Sequence, residues 1–127
     1  MKEKNWQVYK FGGTSLADGT CLERVCALIH QNACSNLIVV VSAMAGVTDS
    51  LFEVLQTKNL EAIKPFMTLY QQTIKKLIKN PESIKSLEDS FASDIEKIQQ
   101  IFDSLESGQL SHAETSIIIG FGDVWSS

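Results

Sequence analysis

Val8-Tyr9-Lys10-Phe11-Gly12-Gly13-Thr14-Ser15 decides how the rest of the chain is read. An alternating run, Trp6-Gln7-Val8-Tyr9, leads into a lysine, an aromatic ring, two glycines and two hydroxyls. The pattern predicts a short strand ending in a tight loop. Without a Cβ, Gly12 and Gly13 let a backbone approach a ligand closely and adopt positive φ. Their N–H groups, with the Thr14 and Ser15 hydroxyls, suit an anion-binding concavity. Lys10, at the strand end, is a point charge matched to phosphate oxygens. In a Walker A loop the lysine follows the glycines, whereas here it precedes them. On the residues alone, a plain turn and a phosphate loop both stay open.

Length and charge narrow the class. The chain has 127 residues, 44% hydrophobic, with a formal net charge of −4. That suits one globular domain and is too little for two. The acidity argues against nucleic acid or an anionic membrane as partner. No apolar run approaches the roughly 20 residues of a membrane span. Met1-Lys2-Glu3-Lys4-Asn5 lacks the apolar core of a signal peptide, so a cytoplasmic protein is expected. Cys21, Cys26 and Cys34 are odd in number and at no metal-ligand spacing. Two of them fall in a predicted helix, where they read as small buried hydrophobes.

Beyond the glycine loop, Thr20-x-x-Glu23 has the form of a capping box. Leu22, Val25, Cys26 and Ile29 follow at i, i+3, i+4 and i+7, a helix with one buried face. Residues 32–36 are small and polar, a loop. The continuous run Leu37-Ile38-Val39-Val40-Val41 predicts a strand apolar on both faces, as in a parallel sheet covered by helices. Strand, helix and strand make a right-handed βαβ unit. The second strand ends in Ser42-Ala43-Met44-Ala45-Gly46-Val47-Thr48-Asp49, again small residues and a glycine. Both loops therefore leave the carboxyl ends of neighbouring parallel strands, where open α/β sheets bind ligands. Thr48-Asp49 also suits the start of a helix over 50–56.

The second half reads as helices. Leu60, Ile63, Met67, Tyr70, Ile74 and Leu77 form one apolar seam, and Ile84, Leu87, Phe91, Ile95, Ile98, Phe102 and Leu105 another. Asn80-Pro81 separates them as N-cap and N1 of the later helix, which predicts an antiparallel hairpin. Pro65 either kinks the first helix or marks its start. Lys75, Lys76 and Lys79 read as a solvated face. Gly108 ends the hairpin, and Ser111-x-x-Glu114 is a second capping box. It opens a helix running into Ile117-Ile118-Ile119, followed by Gly120-Phe121-Gly122-Asp123. His30 lies late in the first helix, where a dipole interaction explains it, and His112 in a first turn at the surface.

Three of these segments together resemble the aspartokinases, within the amino-acid kinase family. Lys10-Phe11-Gly12-Gly13-Thr14-Ser15 looks like their N-terminal signature, and Ser42-Ala43-Met44-Ala45-Gly46-Val47-Thr48 is similar to their second one. Phe121-Gly122-Asp123 is similar to a motif that ends in glutamate, here shorter by one methylene. The resemblance implies an α/β chain: a partial three-layer α/β/α amino-acid kinase fold with parallel strands and a helical hairpin insertion. Residues 1–127 would be the N-terminal portion of that domain.

The implied reaction is phosphorylation of the β-carboxylate of L-aspartate by ATP, on the route to lysine, threonine and methionine. ATP with Mg2+ would be the substrate complex, with no tightly bound cofactor and no metal held by the protein. Lys10 is implied as the catalytic cation. Lys10, Gly12, Gly13, Thr14, Ser15 and Ser42 would bind ATP phosphates, and Thr48 and Asp123 the aspartate. No general base is needed, because a carboxylate is already ionised at neutral pH. Family features expected downstream are missing: an arginine for the substrate, further nucleotide loops and regulatory repeats. The expectation is therefore an incomplete portion of a homo-oligomeric parent, inactive alone, with a second fused enzyme in the parent also compatible. Two alternatives remain: another amino-acid kinase, or a non-catalytic α/β binding or regulatory module, which the shorter Asp123 would favour.

Overall fold

A computed structural model describes residues 5–105 and 108–127 of the chain. Met1 to Lys4, read above for a signal peptide, lie outside the described residues. Strands β1 (Gln7–Phe11) and β2 (Leu37–Val41) pair in parallel, from Gln7 opposite Leu37 to Phe11 opposite Val41. Helix α1 (Gly19–Gln31) connects them, giving the predicted βαβ unit. Then follow α2 (Val47–Thr57), α3 (Lys64–Leu77), α4 (Pro81–Asp103) and α5 (His112–Ser126). Short 3-10 turns at Gly13–Leu16 and Leu60–Ile63 lead into α1 and α3. The result is a mostly helical α/β fold with a two-stranded parallel sheet.

Local chemistry explains most boundaries. Asn80 Oδ1 accepts from the N–H groups of Glu82 (2.8 Å) and Ser83 (3.2 Å), and Pro81 begins α4. Pro65 stands in the first turn of α3, so it starts that helix and does not kink it. The capping box at α5 is complete: Ser111 Oγ accepts from Glu114 N–H at 3.1 Å, and Glu114 accepts from Ser111 N–H at 2.7 Å. That hydrogen bond holds the Glu114 carboxyl below its ordinary pKa.

Several boundaries differ from expectation. The cap of α1 is Asp18, whose Oδ1 accepts from Cys21 N–H at 2.9 Å, and not Thr20. Asp18 is extended, as an N-cap must be, whereas Thr20 is already helical. Thr20 and Glu23 instead meet Lys76 Nζ, at 2.8 and 3.1 Å, tying α1 to α3. Helix α2 starts at Val47, three residues before the predicted 50, because Gly46 turns the chain at φ +82°. Helix α5 continues past the isoleucines through both Gly120 and Gly122. The cysteines are not buried hydrophobes: Cys26 and Cys34 are exposed and Cys21 partly so, since α1 turns Val25 inward instead.

The core sits among the helices rather than on the sheet. Leu16, Val47, Leu51, Val54, Ile63, Ile98 and Ile118 are fully buried. Phe66, Tyr70, Phe91 and Trp125 form an aromatic cluster joining α3, α4 and α5. Tyr70 meets Phe91 at 4.6 Å between centroids while Lys75 reaches Glu88 at 3.7 Å, so α3 and α4 run antiparallel, as predicted. Burial, reinforced by the nearby charge of Asp94, pushes the Tyr70 phenol up and keeps it neutral. Among the strands only Phe11 and Val41, at the carboxyl ends, pack on this core. Ile38, Val39 and Val40 are 44%, 38% and 43% exposed, against the expectation of a strand covered on both faces. Among the described residues no helix is long and apolar enough to cross a membrane.

Two predictions follow from the packing and the caps. Phe91→Ala empties the centre of the aromatic cluster and should cost about 3–5 kcal/mol in urea denaturation. A lowered carboxyl pKa contributes stability that is complete above the unfolded-state value and is lost as pH falls through the folded-state value. Glu114→Gln should therefore flatten the acid limb of the stability curve below the ordinary glutamate range, and leave intact the share of Asp18, whose carboxyl the Cys21 N–H likewise holds below its ordinary pKa.

Candidate functional site

The carboxyl ends of β1 and β2 deliver two loops side by side. Ser42 N–H donates to the carbonyl of Phe11, the last residue of β1, at 3.1 Å, which carries the ladder one residue past the end of β2. The first loop leaves through Gly12, extended at φ −83°, and closes as a 3-10 turn with Ser15 N–H on the Gly12 carbonyl at 3.0 Å. Leu16, fully buried, pins the end of that turn to the core.

Neither loop glycine uses positive φ, contrary to one of the reasons expected for them; that conformation falls at Gly46. Gly13 is needed for contact instead. A Cβ there would stand 3.3 Å from the Ala43 carbonyl oxygen and 3.7 Å from Ala45 Cα. The first loop thus lies directly on the second. At Gly12 a Cβ would meet nothing within 4 Å, so internal packing does not demand glycine at that position.

The second loop is held from the other side by α5. Asp123 Oδ1 accepts from Ala43 N–H at 3.0 Å, and the Ser126 hydroxyl donates to the Ser42 carbonyl. Gly122 lets the helix come this close: a Cβ would lie 3.3 Å from Leu51 Cδ1 and Val47 Cγ1, and 3.6 Å from Ala43 Cβ. Phe121-Gly122-Asp123, over 70 residues from the second loop in sequence, is therefore part of the same constellation.

The remaining predicted site residues surround this junction. Lys10 is the penultimate residue of β1, exposed, its side chain making no ion pair or hydrogen bond among the described residues. Thr14 and Ser15 are exposed and line a cavity of about 240 Å3 with Phe11, Cys21, Arg24, Val25 and Leu28. Arg24 escaped the sequence reading, because a lone arginine in a helix carries no pattern. The Ser42 hydroxyl donates to the Ala43 carbonyl at 3.1 Å, inward along its own loop. Thr48 is half-buried in the first turn of α2, behind Gly46. No side chain caps α2; Val47 N–H turns back to the Met44 carbonyl at 3.3 Å, which leaves the Thr48 and Asp49 N–H groups and the positive end of the dipole at the helix start beside the loop. A free lysine, two hydroxyls, a glycine backbone and a helix start together suit an anion of several oxygens.

Residues 5–110 match the amino acid kinase family. The chain is 34% identical to bifunctional aspartokinase/homoserine dehydrogenase 2 of Escherichia coli, over 97% of its own length and 15% of that protein. Over 36% of its length it is 52% identical to the aspartokinase of Chlamydia muridarum. Its fold matches E. coli aspartokinase III, solved in complex with aspartate and ADP, with a TM-score of 0.69 and 25% identity. That match covers 96% of this chain and 27% of the solved one. The chain thus spans a small part of the relatives it matches.

The two loop glycines should respond differently to a methyl group. Gly13→Ala presses on a backbone oxygen anchored through Ala43 and should cost about 1–3 kcal/mol. Gly12→Ala should stay within about 0.5 kcal/mol of wild type in the same denaturation experiment.

Proposed function

We propose, from the premise that the chain belongs to the amino acid kinase family, that it forms the phosphate-binding side of an aspartokinase active site. On this reading residues 1–127 are the N-terminal portion of the catalytic domain. The polypeptide carrying them transfers the γ-phosphoryl group of ATP to the β-carboxylate of L-aspartate. It serves lysine and threonine biosynthesis in the cytoplasm, as a homo-oligomer. The observation that carries the reading is the junction itself: Gly13 against the Ala43 carbonyl, and Asp123 on the Ala43 N–H.

The chemistry requires two anions to meet, so charge neutralisation and alignment dominate the barrier. Lys10, exposed and without a partner among the described residues, is positioned to take charge from the transferring group. The Gly12 and Gly13 N–H groups, with the Thr14 and Ser15 hydroxyls, cradle the phosphates. Gly12 supports this role, since nothing within the chain requires it to lack a Cβ. Mg2+, as part of the ATP substrate complex, would supply further neutralisation of the phosphate oxygens. Ser42 shapes the second loop beneath them, and Thr48 lies at the start of α2, on the aspartate side. Asp123 commits Oδ1 to Ala43. A carboxylate accepts through both oxygens, which leaves Oδ2 for the substrate ammonium.

The test is hydroxylamine trapping of the acyl phosphate formed by the native gene product. Aspartate should be clearly preferred over glutamate and acetylglutamate. Lys10→Ala should lower kcat by about 10²–10³-fold, the scale of one lost electrostatic stabiliser, with its melting temperature unchanged. Full turnover in a folded Lys10→Ala protein would sink the proposal.

A further inference from the structure

Helix α5 reaches the junction with little helix propensity of its own. Gly120 and Gly122 lie in its interior, and glycine is the poorest helix former after proline. Yet its last turns carry both groups that grip the second loop, Asp123 and Ser126. Something outside the helix must therefore hold it in place.

Trp125, between those two residues, supplies the hold. It is 7% exposed, stacks on Phe66 at 5.6 Å and meets Phe91 edge-on at 4.6 Å. Ring packing alone leaves a ring free to slide within the cluster. The indole N–H removes that freedom by donating to Asp94 Oδ2 of α4 at 3.1 Å. Asp94 is itself held: its side chain is 14% exposed, and Oδ1 pairs with Lys97 at 3.2 Å. A hydrogen bond to an ionised acceptor in a half-dry setting is both strong and directional.

We propose that Asp94, on the helical hairpin, is a positioning residue for the candidate site. Its carboxylate fixes the Trp125 indole, and so the setting of α5 from which Asp123 and Ser126 hold the loop at Ser42 and Ala43. The hairpin, read from sequence as scaffold, thereby acts on the site through this hydrogen bond as well as through ring packing. The kinetic consequence rests on the proposed kinase reading; the structural one does not.

Amide hydrogen exchange on the native gene product, followed by mass spectrometry, tests the structural consequence. Asp94→Leu removes the acceptor; Trp125→Phe keeps a packed ring and removes the donor. Each should speed exchange in the peptide spanning 42–46 by about tenfold, leaving the peptides of β1 and β2 unchanged, as a local opening does. Asp94→Asn keeps an acceptor oxygen and should stay within about twofold of wild type. If Asp94→Leu fails to fold, Trp125→Phe decides. Unchanged loop exchange, or equal acceleration everywhere, overturns the positioning role.

Steady-state kinetics on the same variants separates the two readings. Asp94→Leu should raise KM for the carboxylate substrate about fivefold or more, with a smaller change in kcat and recovery in Asp94→Asn. Faster loop exchange with no change in KM would leave the positioning role standing and overturn the assignment of this loop to substrate. Normal loop exchange in a working aspartate kinase would do the reverse.

Discussion

One alanine bears the constraint on which the site depends. Ala43 turns its carbonyl towards Gly13 and its N–H to Asp123, so the first loop, the second loop and α5 meet at a single residue. That meeting constrains each partner. A Cβ at position 13 would crowd the Ala43 carbonyl oxygen at 3.3 Å, a main-chain atom that would have to give by a few tenths of an ångström. The carboxylate at position 123 takes up the Ala43 N–H directly. The Ser126 hydroxyl on the Ser42 carbonyl closes the same grip one residue earlier. Three segments far apart in sequence thus become one rigid surface at the carboxyl ends of two strands.

Rigidity here comes from the helices, not from the sheet. The two strands are paired along their full length, yet most of their side chains stay exposed, and only Phe11 and Val41 reach the core. The apolar weight lies instead between α2, α3, α4 and α5. A buried aromatic contributes through its area and, in pairs, through ring geometry worth about 0.5–1.5 kcal/mol more. Four such rings, three on the α3–α4 hairpin and Trp125 on α5, join these helices through a connected set of contacts. Because Trp125 belongs to α5, that weight is transmitted to the turn bearing Asp123.

Legibility in the sequence followed the range of the interaction. The strand Leu37–Val41, the Asn80-Pro81 start of α4 and the Ser111/Glu114 box were readable because each depends on neighbours within four residues. Where two local solutions compete, the local pattern alone does not decide between them. Asp18 and Thr20 are both good caps, and the conformation of the preceding turn selects Asp18. Gly46 at positive φ starts α2 earlier than any capping side chain would indicate. Gly122 of α5 looks like a breaker until Leu51, Val47 and Ala43 are seen to fill the space of the missing Cβ, whereas at Gly120 a Cβ would meet nothing within 4 Å. The site residues of the two loops were legible as a pattern. Their junction, and the Asp94–Trp125 bond across 31 positions, were not, because nothing local encodes them.

The shorter carboxylate at position 123 makes sense in this geometry. Gly122 brings α5 down until a methyl group on it would already press on two buried side chains. From a helix that close, an aspartate spans the remaining gap to the Ala43 N–H at an ordinary 3.0 Å. A longer side chain would have a further torsion to fix in order to make the same contact. The glycine sets the height of the helix, and at that height the aspartate reaches the second loop directly. The departure from glutamate, which from sequence alone favoured a module without catalysis, thus leaves the carboxylate in direct contact with the loop.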